Sequence, residues 1–275
     1  MSTQTSLSEA ACRVLNTPAP EDKVRLTYDL AKAWRAGDIT DIGNARPPDR
    51  PARPQKPELL APGAMPKRST GVGKRRINLI HAIAHIELNA IDLAWDAVAR
   101  FAPLNTQSIL PKAFFDDWVH VADDEAHHFE LLEKRLHELG SAYGDLPAHD
   151  GLWEAAENTA DDVLARMALA PMLLEARGLD TTPGTVAKLR ANNDHATADI
   201  MDLIAREEID HVAAGVRWFE HVCAKRSLEP VPTFKDFVAS RFKGRIKGPF
   251  NTAARGRAGM RPDYYEAYSE TATKG

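Results

Sequence analysis

The sequence predicts an all-α protein: an antiparallel four-helix bundle with extensions at both ends. Four segments of the 275-residue chain repeat their apolar residues with the period of an α-helix. The connections between these segments are short and contain proline and glycine, which commonly end helices. Each segment also carries one glutamate within its apolar stripe, so that four carboxylates are directed at the axis of the predicted bundle.

The N-terminal region, residues 1–73, is predicted to form short helices followed by an extended strap. One helix is expected from Pro20 to Gly37, because proline favours the first helical position and glycine commonly follows the last. Residues 46–66 are rich in proline and arginine and contain too few apolar side chains to form a core. This stretch is therefore expected to be a surface strap or a linker.

The bundle itself is predicted to occupy residues 74–228. Periodicity and capping residues place its helices at 74–100, 111–139, 150–178 and 182–226. Gly140 is expected to cap the second helix, while Thr182 and Pro183 fit the start of the fourth. Residues 229–275 form a C-terminal basic extension, with a short helix and an irregular tail, that is expected to pack on the bundle.

The composition is that of a globular chain without a membrane span. Charged residues make up 27% and apolar residues 44%, and no run of 18 apolar residues occurs. The N-terminus lacks the basic-then-apolar order of a secretory signal, and two cysteines do not make a disulfide framework. We therefore expect a cytoplasmic protein with no membrane partner.

Charge is distributed unevenly along the chain. Residues 77–230 contain 12 Lys/Arg against 27 Asp/Glu, whereas residues 46–76 and 235–261 contain 9 against 2 and 8 against 1. One interpretation is that the two basic flanks pack on the acidic bundle as arms that form salt bridges. The other is that they form a rim that attracts an anionic substrate, with RNA as one candidate.

The most specific pattern is Glu … Glu-x-x-His … Glu … Glu-x-x-His. An offset of three residues rotates a histidine only about 60° from its glutamate, so both side chains of a pair reach one point. Each helix of the predicted bundle contributes a part of this pattern, which consists of Glu87, Glu125 with His128, Glu175, and Glu208 with His211.

Charge compensation indicates what these side chains do. Four buried carboxylates are prohibitively costly unless protons, cationic side chains or metal ions neutralise them. The nearby arginines are all expected on the opposite faces of their helices: Arg166, Arg177, Arg206 and Arg217. Two divalent ions would supply the missing positive charge, and carboxylates and imidazoles are suitable ligands. The sequence therefore predicts about two metal ions per chain.

Four neighbouring residues have weaker interpretations. Asp124 and Glu207 immediately precede the paired glutamates and either hold a liganding imidazole or are solvated acids. His81 and His85 lie one turn apart at the edge of the first stripe. They either line a substrate channel and tune the metals or serve as structural residues at a helix–helix edge.

These segments resemble the ferritin-like superfamily of di-iron carboxylate proteins. Asp124-Glu125-x-x-His128 and Glu207-Glu208-x-x-His211 are similar to the doubled motif of bacterial multicomponent monooxygenases and of tRNA hydroxylases. Residues 81–88 (HAIAHIEL) and 247–259 (KGPFN-x-AARGRAG) more closely resemble a bacterial ferritin-like family catalogued as a domain of unknown function. This second resemblance covers nearly the whole chain.

The resemblance to the superfamily implies a set of ligand roles. Glu87 and Glu175 would be terminal ligands, Glu125 and Glu208 bridging ligands, and His128 and His211 one nitrogen ligand for each of two iron ions. A mixed manganese/iron pair is the alternative. All five tyrosines lie outside the four predicted helices, so a stable tyrosyl radical beside the metals is not expected.

The resulting hypothesis is an O2-activating di-iron oxygenase or hydroxylase. It would act on an unidentified substrate, which the basic flanks suggest is anionic, and would need an external electron donor because no flavin, NAD or iron–sulfur motif occurs. The alternatives are a ferroxidase, iron-handling or peroxide-scavenging protein, a tRNA-modifying hydroxylase, and a bundle that only binds a partner. No oligomeric state is predicted.

Overall fold

A long helix buried on almost every face organises the N-terminal half of the chain. The computed structural model describes residues 5–268 and divides into two compact units, the first ending at Glu154 and the second beginning at Ala155. The helices of the first unit are α1 (Leu7–Leu15), α2 (Pro20–Ala36), α3 (Lys74–Arg100), α4 (Pro103–Thr106) and α5 (Lys112–Glu138). Helix α3 packs against α5 and α1, and α2 packs against α5.

The helix boundaries predicted for this unit are confirmed. Helix α2 begins at Pro20, and Gly37 follows it with a left-handed φ of 79°. Helices α3 and α5 lie within a residue of the predicted positions, and Gly140 after α5 also has a positive φ, of 76°. These ends were predictable because proline and glycine act locally on the backbone.

The Pro-rich strap packs on the first unit. Its backbone pairs with residues next to other elements: Ala52 N–H donates to the carbonyl of Leu15, and Leu60 N–H donates to that of Ala148. Arg50 forms an ion pair with Asp150. For these residues of the first basic flank, the structure supports the interpretation as a packed, salt-bridging arm.

The second unit contains a long interrupted helix and a second long helix that packs on it. α6 (Gly151–Glu157) spans the boundary between the units, and a short 3-10 turn, Pro62–Ala64, lies in the strap. The remaining elements are α7 (Val163–Leu169), a π-helical segment (Ala170–Glu175), α8 (Ala176–Ala191), α9 (His195–Lys225), α10 (Pro230–Arg241), α11 (Thr252–Arg257) and two 3-10 turns, Pro262–Tyr264 and Glu266–Tyr268.

The π-helical segment contacts α9 through a proline and a glycine. A Cβ atom at Gly215 would lie 2.4 Å from Cγ of Pro171, so no larger residue fits this close approach. Proline in the segment has no N–H to donate, which favours the local widening of the helix. Glu175 is the last residue of this widened segment.

The predicted boundaries of the third and fourth helices are wrong. The third helix is broken at residues 158–162 and then continues to Ala191, well beyond residue 178, and the fourth begins at His195 with Asp194 as its N-cap. Pro183 lies inside α8 rather than at a helix start. Because Pro183 has no N–H, it cannot donate to the carbonyl of Leu179. The Asn251 side chain donates to that carbonyl instead, at 3.1 Å.

The all-α prediction is confirmed for residues 5–268, in which only an isolated bridge, Leu59–Ala148, resembles strand pairing. Among the helices of these residues, none is long and apolar enough to cross a membrane. The ends of the predicted first and last segments, residues 1–4 and 269–275, lie outside the described part of the chain.

Candidate metal centre

Two helices of the first unit bring three predicted ligands together. Glu87 lies on α3, and Glu125 and His128 lie one turn apart on α5. His128 Nδ1 is 3.3 Å from Oε2 of Glu125 and 3.6 Å from Oε2 of Glu87. All three side chains are buried, and each has a ligand atom within 4.8 Å of the others. A group of this composition and spacing could hold a metal ion.

The surroundings of these three residues disfavour two free negative charges. Burial raises the pKa of Glu87 well above its ordinary value, and the negative charge of Glu125 raises it further. His128 opposes this shift through a hydrogen bond and its charge. Two buried carboxylates this close repel each other, so the pair favours either a shared proton or a bound cation.

The second unit contains the other three predicted ligands. Glu208 and His211 are buried and lie one turn apart on α9, with His211 Nδ1 3.7 Å from Oε2 of Glu208. That Oε2 atom is buried and accepts no hydrogen bond within residues 5–268. Glu175 is half-buried at the end of the π-helical segment.

A second buried carboxylate on α3 has entirely different surroundings. Asp92 is fully buried and forms ion pairs with Lys23 of α2 and with Arg53 of the strap, the latter at 2.6 Å. Lys23 is itself 1% exposed, and burial lowers its pKa although Asp92 acts in the opposite direction. Asp92 is therefore compensated by protein cations.

His81 and His85 hold the loop at residues 143–149 against α3. The backbone N–H of Gly144 donates to Nε2 of His81 at 3.0 Å. The Tyr143 hydroxyl donates to Nδ1 of His85 at 2.8 Å, and Nε2 of His85 donates to the carbonyl of His149 at 3.2 Å. Burial lowers the pKa of each histidine to about 4. Both rings are thus neutral at pH 7, and both connect the loop to α3 through hydrogen bonds.

The acids that precede the paired glutamates lie at the edge of the buried region. Asp124 is half-buried and lies 3.7 Å from the exposed His120 on the same helix, and Glu207 is also half-buried.

The four arginines predicted to face away from the carboxylates differ in exposure. Arg177, Arg206 and Arg217 are exposed. Arg166 is buried, and its guanidinium donates to Thr159 Oγ1 and to the carbonyl of Ala156, both at 2.8 Å. These partners precede α7 in the chain, and the helical period of the sequence does not reveal this contact.

Sequence reasoning missed the cations of Asp92 and the role of Tyr143. Lys23 and Arg53 come from the N-terminal region, and helical phase compares only residues on one helix. Tyr143 lies outside the long helices, yet its ring stacks on His81 with centroids 5.3 Å apart. A residue that lies outside a helix in the sequence can therefore still lie close to that helix in space.

Comparison with known proteins places the chain in a family. A family model described as "Protein of unknown function (DUF455)" matches residues 16–266. An "Uncharacterized protein" of Haemophilus influenzae is 42% identical over 253 residues, which cover 90% of this chain and 88% of that protein. No solved structure matches the chain.

Proposed function

The chain belongs to the protein family of unknown function DUF455, and for this member we propose a di-iron carboxylate protein that activates O2. In this proposal it is an oxygenase or hydroxylase, and the helix pairs of its two units form one four-helix bundle of the ferritin-like type. The observation that carries the proposal is the buried group of Glu87, Glu125 and His128.

The donor set fits a divalent transition metal. Carboxylate oxygens and a neutral imidazole nitrogen are ligands that iron and manganese accept, while the absence of thiolate disfavours softer metals. Glu87, Glu125 and His128 offer only carboxylate oxygens and imidazole nitrogens. Iron is therefore the favoured metal, with a manganese/iron pair as the alternative.

The charge of the group also fits a cation. Glu87 interacts with His128 and Glu125, and no lysine or arginine within residues 5–268 forms an ion pair with it. A buried carboxylate such as Glu87, without a cationic side chain and beside a second carboxylate, is costly at neutral pH. A bound cation removes this cost, and metal binding then releases the proton that the pair would otherwise retain.

The second unit would supply the remaining ligands. Glu208 and His211 repeat the Glu-x-x-His geometry of Glu125 and His128, and Glu175 precedes them on the partner helix as Glu87 precedes the first pair. The buried Oε2 atom of Glu208, which accepts no hydrogen bond in the described residues, is available to a cation.

The protein residues would then have defined tasks in the reaction. Two ferrous ions would supply the electrons that O2 activation requires, and an external donor would restore them. The carboxylates balance the metal charge, and His128 and His211 each contribute a neutral nitrogen donor. Burial of the group excludes bulk water, which protects an oxidising site from side reactions.

Metal analysis of anaerobically purified protein tests the proposal. After loading with Fe(II), we expect about two metal ions per chain by elemental analysis. Glu125→Ala and Glu208→Ala should each lower the metal content, because each removes a ligand. Glu133→Ala is the matched control, since Glu133 is a half-buried glutamate on α5 outside the group.

The proposal fails if the folded wild-type protein takes up neither iron nor manganese. It also fails if Glu133→Ala lowers the metal content as much as Glu125→Ala does. Far-ultraviolet circular dichroism of each variant separates loss of metal from loss of fold.

Oxygen consumption separates the oxygenase from the ferroxidase alternative. An oxygenase loaded with Fe(II) consumes O2 in a single oxidation and then stalls until electron donor and substrate are added. A ferroxidase consumes O2 repeatedly when only Fe(II) is added. Repeated turnover without an organic substrate would replace the proposed activity with iron handling and leave the metal centre unchanged.

A further inference from the structure

The second basic flank contains cations that the fold does not use. No acidic residue occurs between Asp236 and Asp263, a stretch with seven lysines and arginines. Three of these form ion pairs within the second unit. Arg261 pairs with the neighbouring Asp263 at 3.5 Å, whereas Arg241 pairs with Asp161 and Arg255 with Asp180, the latter at 2.8 Å. Arg241 and Arg255 match the interpretation of the flank as a packed arm.

The loop between them has the opposite character. Lys243, Arg245 and Lys247 are exposed, and within the described residues none of them forms an ion pair or a side-chain hydrogen bond. The three residues lie within five non-helical positions, so the Cα atoms of one and the next are at most about 7 Å apart, given the reach of two residues of chain. They repel each other, and the fold brings no carboxylate to relieve this repulsion.

The loop is nevertheless held at both ends. Before it, the Arg241 guanidinium donates to the carbonyl of Asn158 at 2.8 Å, in addition to its ion pair. After it, the backbone N–H of Asn251 donates to Asp180 at 2.9 Å. Within it, Arg177 donates to the carbonyl of Lys247 at 2.8 Å. Arg177 is a half-exposed cation beside the loop that also lies 3.6 Å from the carboxylate of Asp180. An anchored loop loses less conformational entropy when a ligand binds.

The surroundings of the loop favour an electrostatic partner. A protein interface normally needs an apolar or aromatic anchor. The large exposed apolar side chains of the described residues all lie elsewhere, and Phe250 is packed between Arg255 and Tyr265, with ring centroids 5.0 Å apart in the aromatic pair. A dense cationic surface without an apolar anchor matches the phosphate backbone of a nucleic acid, where ion pairs supply most of the affinity.

We propose that Lys243, Arg245, Lys247 and the neighbouring Arg177 form a binding surface for the phosphodiester backbone of a nucleic acid. The surface reads charge rather than base sequence, because it consists of flexible cations and carries no exposed aromatic ring to stack on bases. This proposal is independent of the metal centre.

Fluorescence anisotropy with a labelled 20-nucleotide single-stranded RNA, from 50 to 300 mM KCl, tests the surface. For the wild-type protein, the logarithm of the association constant should fall linearly with the logarithm of the salt concentration. Lys243→Gln, Arg245→Gln and Lys247→Gln together should make this slope shallower by about 2, because each of three lost phosphate contacts contributes about 0.7 to it. At about 0.1 M salt, the triple variant should therefore bind about 100-fold more weakly than the wild type.

The first basic flank provides a matched control. Lys67→Gln, Arg68→Gln and Lys74→Gln together remove the same charge from exposed residues that form no ion pair within the described chain. This variant should keep the wild-type affinity within about twofold, because none of its changed residues belongs to the proposed surface. All the changed side chains are exposed, so thermal unfolding and metal content should stay at wild-type values.

Several results would overturn the proposal. One is a wild-type protein that fails to bind RNA or duplex DNA at 50 mM KCl. Another is equal weakening by the loop and control variants, which would indicate attraction by net charge alone. A third is binding of poly-glutamate or of phosphatidylserine vesicles with equal or higher affinity than RNA, which would assign the loop to an acidic protein or a membrane surface.

Discussion

Asp92 and Glu87 are buried carboxylates on the same helix, five residues apart, with opposite surroundings. Asp92 lies between the ammonium of Lys23 and the guanidinium of Arg53. Glu87 lies beside a second carboxylate, Glu125, and an imidazole, His128. The fold brings two cations to the first carboxylate and a second negative group to the other.

This difference shows that burial of an acid is not sufficient evidence for a metal centre. Asp92 is as buried as Glu125, yet its charge is balanced by side chains from α2 and the strap. Glu87 forms no ion pair with a lysine or arginine of the described residues. Compensation, rather than burial, distinguishes a structural ion pair from a site that attracts a cation.

The largest effect is expected from Asp92→Asn. The substitution leaves Lys23 and Arg53 without their shared counter-ion, and stranding buried charge typically costs about 3–5 kcal/mol. Urea unfolding of the metal-free protein should show this loss in the free energy of unfolding. Metal content should remain at the wild-type value if the protein stays folded.

A double variant checks the cause of that loss. Asp92→Leu combined with Lys23→Met removes the buried pair and should recover part of the stability, because the stranded ammonium is gone. A loss below about 0.5 kcal/mol for Asp92→Asn, the level of an ordinary surface change, would show that Asp92 is not the structural counter-ion described above.

The sequence predicts that Glu87 and Glu125 are buried, but it does not predict the cations that surround Asp92. Helical phase placed Glu87 and Glu125 inside, because the apolar stripes of α3 and α5 are long and regular. Lys23 also lies on the buried face of its helix, but no pattern within α2 relates it to a residue on α3. Arg53 lies in a strap without periodicity, so its partner depends on the tertiary fold alone.

The same limit explains the helix boundaries. The ends of α3 and α5 follow from local backbone chemistry, and their prediction is confirmed. Pro183 was interpreted as a helix start, but the helix passes through it because Asn251, distant in sequence, donates to the carbonyl that proline leaves without a partner. Whether a helix ends at a proline therefore depends on tertiary contacts, which the neighbouring sequence does not indicate.

The next effect is expected from Glu87→Gln, and it has the opposite sign. Removing one acid from the buried pair should stabilise the metal-free protein by about 1–3 kcal/mol at pH 7.5, since no cationic side chain loses a partner. The same substitution should abolish stoichiometric iron binding, because glutamine replaces a ligand. Urea unfolding and elemental analysis measure the two results on one sample. Destabilisation of the metal-free form would place Glu87 in the same class as Asp92.

The stabilisation should also depend on pH. Burial and Glu125 raise the pKa of Glu87 in the folded protein from the ordinary value of 4.5. The folded state therefore binds more protons than the unfolded state above this value, and stability is lost as pH rises toward the folded pKa. The difference in free energy of unfolding between the metal-free wild-type and Glu87→Gln proteins should grow by up to about 1.4 kcal/mol for each unit that the pH rises.

Unfolding of both proteins in EDTA at pH 5, 6, 7 and 8 measures this difference. Subtracting the free energies of unfolding of one protein from those of the other cancels the contribution of every titrating group except Glu87 and the groups that respond to it. Iron-loaded wild-type protein should show the reverse trend, because deprotonated ligands bind metal more tightly as pH rises. If the free energies of unfolding of the two metal-free proteins changed in parallel with pH, the surroundings of Glu87 would not disfavour its charge.

The smallest effect is expected from an exposed pair, and it completes the comparison. Arg35 and Asp123 join α2 to α5 at 2.8 Å, with Arg35 half-exposed. Water already stabilises both charges, so Arg35→Ala should cost at most about 1 kcal/mol in urea unfolding, against several for Asp92→Asn. Asp123→Asn should give an equally small change. Were either change to cost as much as Asp92→Asn, burial of charge would not explain the large effect expected of Asp92→Asn.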